Sequence, residues 1–181
     1  MISICSGWTF TEQWTEEFLR GEAPGTEVRL PHNVRELPLH YAGPEDYEMV
    51  CGYRRTLELP ADWEGKRLFL QFDGAAHIAT VYVNGKELTT HRCGYTAFRV
   101  EITDCVAYGG ENSVAVRLDC TENGSVPPFG FVIDYLTYGG LYREVWLDVR
   151  EQSYLEDVFV YTPGLDRLEA QVSVKGDYDT V

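Results

Sequence analysis

Apolar residues in this chain recur at every second position, in short runs closed by Gly, Pro, Asn and Asp, and this period of two constrains the fold more than any other feature. Successive strand residues point to opposite faces of a sheet, so such a run buries one face and solvates the other. Residues 53–59 alternate in this way, as do Leu68, Leu70 and Phe72, and residues 60–65 supply the connection between them. Val81, Tyr82 and Val83 run into Asn84-Gly85, a pair that tolerates positive φ at both central positions of a type I′ turn, and Lys86-Glu87-Leu88 returns as the second arm of a hairpin. Phe98, Val100 and Ile102 continue the alternation, followed by Val114, Val116 and Leu118 and by Val145, Leu147 and Val149. Helical signals are confined to residues 11–20, where Trp14 and Phe18 stand four apart, and to one turn N-capped by Thr103 and ended by Gly109-Gly110. No strand feeds a long amphipathic crossover helix. The pattern therefore predicts an all-β fold, a jelly-roll β-sandwich, and argues against a doubly wound sheet.

The alternation restarts after about residue 150. Val158 and Val160, then Pro163-Gly164, then Leu168, Ala170, Val172 and Val174 spell two strands and a turn, and an isolated hairpin is marginal in water. The 181 residues are long for one domain and short for two. The expected organisation is a complete jelly roll over residues 1–150 and the opening strands of a second sandwich over 151–181.

Charge and motif content narrow the function. Fifteen Lys and Arg against 29 Asp and Glu give a net charge of −14, which repels nucleic acid and anionic membrane surfaces. No run of ~18 apolar residues and no secretory leader are present, and five scattered cysteines without a C-x-x-C pair suit a reducing compartment, so a cytoplasmic location is expected. Asn123-Gly124-Ser125 has the form of a glycosylation acceptor but reads more simply as a turn. There is no nucleophile elbow, phosphate loop or zinc-protease motif, and His32, His40, His77 and His91 are dispersed, so neither a metal nor a cofactor is expected. The stretch 126–143 is different: it sets a single acid, Asp134, among aromatic rings between Pro and Gly brackets. A carboxylate accepting hydrogen bonds from vicinal hydroxyls beside rings that cover a sugar's apolar face is a sound carbohydrate contact. From the residues alone, a buried aromatic strand with Asp134 capping a turn is the better explanation of the stretch.

A set of short motifs, in order from Gly7-Trp8 to Leu147, adds a family resemblance. They are Pro31-His32-Asn33, Gly52-Tyr53-Arg54-Arg55, the runs 68–74, 81–86 and 91–98, Ile102-Thr103, Glu111-Asn112, and Gly139-Gly140-Leu141-Tyr142-Arg143 continuing to Leu147. Together they resemble the amino-terminal sugar-binding domain of glycoside hydrolase family 2, which includes β-galactosidases, β-glucuronidases and β-mannosidases. The resemblance implies a galactose-binding-domain-like jelly roll followed by an immunoglobulin-like sandwich and a TIM barrel. In that barrel two glutamates carry out retaining hydrolysis; no catalytic residue is then expected in this chain, which alone should hydrolyse nothing. By the same resemblance Asp134, with Tyr138 beside it, touches the terminal β-linked sugar of an oligosaccharide or glycoside. His32, Tyr53, Arg55, Asn84, Gly85 and Arg143 are implied as structural positions: a core histidine, an aromatic plug, a hairpin turn, and buried arginines satisfied by carboxylates or carbonyls. The implied partners are that sugar and a downstream barrel in the same protein, with homo-oligomerisation open. Departures are Asn33-Val34 in place of Asp-Trp, Cys93 and Ala97 in place of a glycine and a proline, and the absence from 36–50 of the asparagine that some galactosidases use on substrate. Two other functions compete, a free-standing lectin-like module and a purely structural or oligomerisation domain.

Overall fold

The computed structural model describes residues 1–36, 43–127, 129 and 138–177. Among these, twelve strands and two short helices follow in the order β1 (Ile2–Ser3), β2 (Trp8–Thr11), α1 (Glu16–Arg20), β3 (Thr26–Val28), α2 (Pro44–Tyr47), β4 (Val50–Leu59), β5 (Arg67–Phe72), β6 (Ile78–Val83), β7 (Lys86–Arg92), β8 (Phe98–Glu101), β9 (Gly110–Asp119), β10 (Val145–Arg150), β11 (Tyr154–Gly164) and β12 (Arg167–Lys175). Six strands form one sheet in the order β3-β2-β4-β9-β6-β7, and four form the other in the order β1-β10-β5-β8. Neighbours within both sheets pair antiparallel. The all-β sandwich expected from the period of two is what the chain forms.

The alternating residues become the interior. Tyr53, Leu57 and Leu59 of β4, Val81 and Val83 of β6, and Val114, Val116 and Leu118 of β9 line one wall; Leu68, Leu70 and Phe72 of β5 and Val145 and Leu147 of β10 line the other. Each fully buried side chain of this size contributes about 1.5–3 kcal/mol through removal of apolar surface from water. Trp8 is fully buried, and its indole N–H donates to the Ile4 carbonyl at 2.6 Å, so its polar edge is satisfied without water.

The two helical segments differ in detail from the sequence expectation. In α1 Thr15 is the N-cap, its hydroxyl accepting from the Phe18 N–H, and Gly21 at φ 77° ends the helix. The helix rests on Gly52, where a Cβ would stand 2.9 Å from the rings of both Phe18 and Trp14. The expected turn at Thr103 forms as a single 3-10 turn, Thr103–Cys105, but Ile102 occupies its cap. The Thr103 hydroxyl instead accepts the Leu68 N–H at 3.0 Å and donates to Glu101 at 2.9 Å, tying β5 to β8. Val106, already extended, ends that turn, and Gly109 at φ 74° leads into β9.

The Asn84-Gly85 hairpin turn has φ of 50° and 78° at its two residues, the left-handed pair that a type I′ turn demands. Asn84 also crosses to a second turn: its Nδ2 donates to the Cys105 carbonyl at 2.8 Å and to Asn112 Oδ1 at 2.9 Å, while its Oδ1 accepts the Ser113 N–H at 2.9 Å. Buried Asn112 completes the cross-link by exchanging bonds with both the N–H and the carbonyl of Ala107. Two motifs far apart in sequence thus close one end of the sandwich.

β11 and β12 form a hairpin of their own. Its two-residue connection is Leu165-Asp166, since Gly164 still pairs with Arg167, rather than Pro163-Gly164. Pro163 lies where the register shifts between Tyr161 and Gly164, a place where a missing N–H is tolerated. The hairpin meets the four-stranded sheet through Arg150, whose guanidinium donates to the Leu155 carbonyl and lies 4.7 Å from the Tyr154 ring centroid.

Candidate functional site

At the end of the sandwich where β9 leaves and β10 enters, four segments are laced together. The segment 139–141 threads between two others. On one side His32 and Val34 donate their N–H groups to the carbonyls of Leu141 and Gly139, at 2.8 and 3.0 Å; on the other, Gly140 exchanges backbone bonds with Ala76 at 3.0 and 3.2 Å. This close approach needs glycine. Gly140 has φ 134°, and a Cβ there would fall 2.3 Å from the His32 carbonyl oxygen. Gly139 similarly leaves its Cβ position to Cys120.

Beneath this crossing His32 Nδ1 lies 2.9 Å from the Tyr53 hydroxyl, and Phe10 packs on both rings with centroids 4.9 and 5.0 Å away. Tyr53 is fully buried, and burial, reinforced by the nearby thiols of Cys51 and Cys120, pushes its hydroxyl far above the usual phenol range. Burial also holds half-buried His32 below the ordinary histidine value, so the pair rests as neutral imidazole and phenol. Those two thiols, Cys51 and Cys120, lie 3.8 Å apart in the same floor.

A second lacing joins the turn 93–96 to both flanks of the stretch that carries Asp134. The buried Gly94 donates its N–H to the Pro127 carbonyl at 2.8 Å, and its carbonyl accepts the Tyr142 hydroxyl at 2.5 Å. Arg143 spans the gap, donating to the carbonyls of Asp73 and Tyr95 at 3.3 and 3.2 Å with its guanidinium 5.1 Å from the Tyr142 ring centroid. Asp73 is held in turn by the Trp146 indole N–H at 2.7 Å. Burial opposes ionisation of Cys93 in this turn, yet the Thr96 side chain and the N–H groups of Tyr95 and Thr96 pull its thiol below the ordinary value.

The residues singled out in the sequence are distributed as follows. Asp134 lies outside the described residues. Tyr138 is exposed, at the C-terminal flank of that stretch. His32 and Tyr53 form the floor, and Asn84-Gly85 belongs to the separate hairpin cross-link. Arg55 is half-buried, donating to the carbonyls of Ile4 and Ser6 with Trp8 beneath it. Arg143 is satisfied by carbonyls but is exposed rather than buried, because it bridges loops at the surface. Sequence reasoning assigned no role to Gly94, Tyr142 or Tyr95. The signal available was that runs 91–98 and 139–147 both belong to the ordered motif set, but only the fold shows that they grip one another. Outside the hairpin 154–175 and the first two residues, the exposed large hydrophobic side chains among the described residues are Tyr95, Phe129 and Tyr138, all on these laced loops.

No group of three His, Cys, Asp or Glu among the described residues could hold a metal ion, and no helix there is long and apolar enough to cross a membrane. A jelly roll whose described loop segments are bonded to one another at one end and expose Tyr95, Phe129 and Tyr138 has the form of a β-sandwich binding module. Residues 23–150 match the sugar binding domain of glycosyl hydrolases family 2, and the chain belongs to that family. A β-galactosidase of Thermoanaerobacter pseudethanolicus is 37% identical over 148 residues, a match covering 81% of this chain and 20% of the relative. A β-glucuronidase of Bacteroides fragilis is 40% identical over 149 residues, covering 81% of this chain and 21% of the relative. Among solved structures, Bacteroides uniformis β-glucuronidase 2 covalently bound to cyclophellitol-6-carboxylate aziridine superposes with a TM-score of 0.84 at 27% identity, over 97% of this chain and 22% of the other. The chain spans about a fifth of the length of these curated relatives.

Proposed function

We propose that this chain is the amino-terminal domain of a retaining exo-β-glycosidase of the β-galactosidase or β-glucuronidase type, lending a substrate-contacting loop to an active site built on a downstream barrel. The observation that carries the reading is the family match over residues 23–150, joined to a loop stretch whose two flanks are both fastened to Gly94. Asp134 is the sugar contact, its carboxylate accepting hydroxyl protons of the terminal β-linked sugar, and Tyr138 flanks it. Such bonds act on the chemical step to the extent that they strengthen as the ring distorts toward the oxocarbenium-like state. The acid/base and nucleophile belong to the barrel.

In this reading residues 1–150 are the jelly roll and 151–181 open an immunoglobulin-like sandwich. The hairpin supports the division: pairing places Leu155, Val158 and Val160 with Ala170, Val172 and Val174 on one face, and Leu155, Val158, Val160 and Val172 are exposed there. An apolar strand face of this kind is stabilised when further strands cover it.

Turnover of aryl β-galactosides and β-glucuronides, measured on the chain alone and on the full-length protein, tests the proposal. Hydrolysis by the full-length protein and neither turnover nor saturable sugar binding by the chain alone is the expected result. Saturable sugar binding by the chain alone would replace it with the lectin-like alternative.

A further inference from the structure

The chain contains two Asn-Gly dipeptides, Asn84-Gly85 and Asn123-Gly124, in opposite chemical situations. Asn-Gly is the sequence at which an asparagine side chain most readily meets the next backbone nitrogen, because glycine has no Cβ to block the approach. Asn84 is exposed, but its side chain is committed to three bonds with distant residues: Nδ2 to the carbonyl of Cys105 and to Asn112 Oδ1, and Oδ1 to the Ser113 N–H. Those bonds hold Cγ toward the neighbouring turn and fix Nδ2 in place. Asn123 is half-buried, and its side-chain bonds among the described residues run to Ser125 alone: Oδ1 accepts the Ser125 N–H at 3.0 Å and the Ser125 hydroxyl at 2.9 Å. This Asx turn folds the side-chain carbonyl back over its own backbone beside Gly124, and its two donors polarise that carbonyl. The Gly124 N–H has no partner among the described residues, and Gly124 and Ser125 are exposed.

We propose that Asn123 is a site of spontaneous deamidation and that Asn84 is protected from it. The Gly124 nitrogen attacks Asn123 Cγ, and its proton leaves with the departing Nδ2 as ammonia, closing a succinimide. Water then opens one of the two ring carbonyls to give aspartate or isoaspartate at 123. Either product puts a new carboxylate next to Glu122, whose N–H is bonded to Glu48 Oε1 at 3.1 Å. Isoaspartate also lengthens the main chain just before buried Val126 and Pro127, the residue whose carbonyl holds Gly94. The modification thus strikes the segment that leads into the laced loops.

Exposure alone predicts that Asn84 converts faster; hydrogen bonding predicts the reverse, and the two are separable in one experiment. The full-length protein is held in mildly alkaline buffer at physiological temperature, and peptide mass spectrometry follows conversion at both asparagines, folded and in denaturant. In the fold Asn123 should convert at least about ten-fold faster than Asn84, a ratio equivalent to ~1.4 kcal/mol, the net worth of one to two hydrogen bonds. In denaturant the two rates should converge. Gly124→Ala, where the added Cβ meets open space, should suppress conversion at 123 while leaving the fold intact. Equal or reversed rates in the fold, or a ratio that survives denaturation, would overturn the proposal.

Discussion

Gly140 is where the laced loops are most sensitive to a single methyl group. At φ 134° a non-glycine residue carries about 1–3 kcal/mol of backbone strain. Its Cβ would also stand 2.3 Å from the His32 carbonyl oxygen and 3.1 Å from the Asn33 Cα, both backbone atoms that cannot rotate away. Relieving that overlap by shifting packed backbone costs about another 1–3 kcal/mol. Gly140→Ala should therefore lose about 2–6 kcal/mol, a large share of the roughly 5–15 kcal/mol that typically holds a protein folded. For a chain of this size that lowers Tm by on the order of 10 °C. Urea unfolding monitored by tryptophan fluorescence measures it, because Trp8 is fully buried in the core. Gly124→Ala is the control: its Cβ meets no heavy atom within 4 Å, so stability should stay within about 0.5 kcal/mol of the parent. Equal midpoints for the two variants would refute the claim that 139–141 is wedged between the segments at 32–34 and 76.

Two other measurements probe different parts of the fold. Asn112→Ala should cost about 2–4 kcal/mol in urea unfolding, because it strands the Ala107 N–H and carbonyl and one bond of Asn84 at once. For pH, burial holds His32 and His91 below the ordinary histidine value of 6.5, so the unfolded chain binds their protons more readily. Their contribution is complete above 6.5 and is lost as pH falls through that value toward the folded one. A second loss should follow below 4.5, where Glu101, held low by its hydrogen bonds from Arg67, gives up its charge. Unfolding midpoints across mildly acidic pH should fall in these two windows, and His32→Gln should flatten the upper one; midpoints that rise on acidification would contradict the assignment.

The parts of the fold legible in the sequence were those whose own residues carry the period. β4, β5, β6 and β9 each bury three or more alternating residues, and β10 buries Val145 and Leu147 with Val149 half-buried in the same register, so the pattern announces them. β1 and β3 do not: two and three residues long, they are strands because Ile2 and Ser3 lie opposite Leu147 and Trp146, and Thr26 to Val28 opposite β2. Register of that kind is a property of the partner. The same limit applies to the loops. That Tyr53 meets His32 across 21 positions, or that one buried glycine holds Pro127 and Tyr142 together, follows from the crossing of strands and not from local composition. Arg143, which the family resemblance implies as a buried arginine, is exposed and bridges two loops from the surface. Asp134 stood out in the sequence as a lone acid among rings.

Asp134→Ala, made in the full-length protein and assayed on aryl β-glycosides, tests the central claim most directly. Loss of a hydrogen-bonded carboxylate on the reacting sugar should lower kcat/KM by at least about ten-fold, an effect of ~1.5–3 kcal/mol on the transition state, with the unfolding midpoint unchanged. An unchanged kcat/KM would contradict the claim that this domain reaches the sugar.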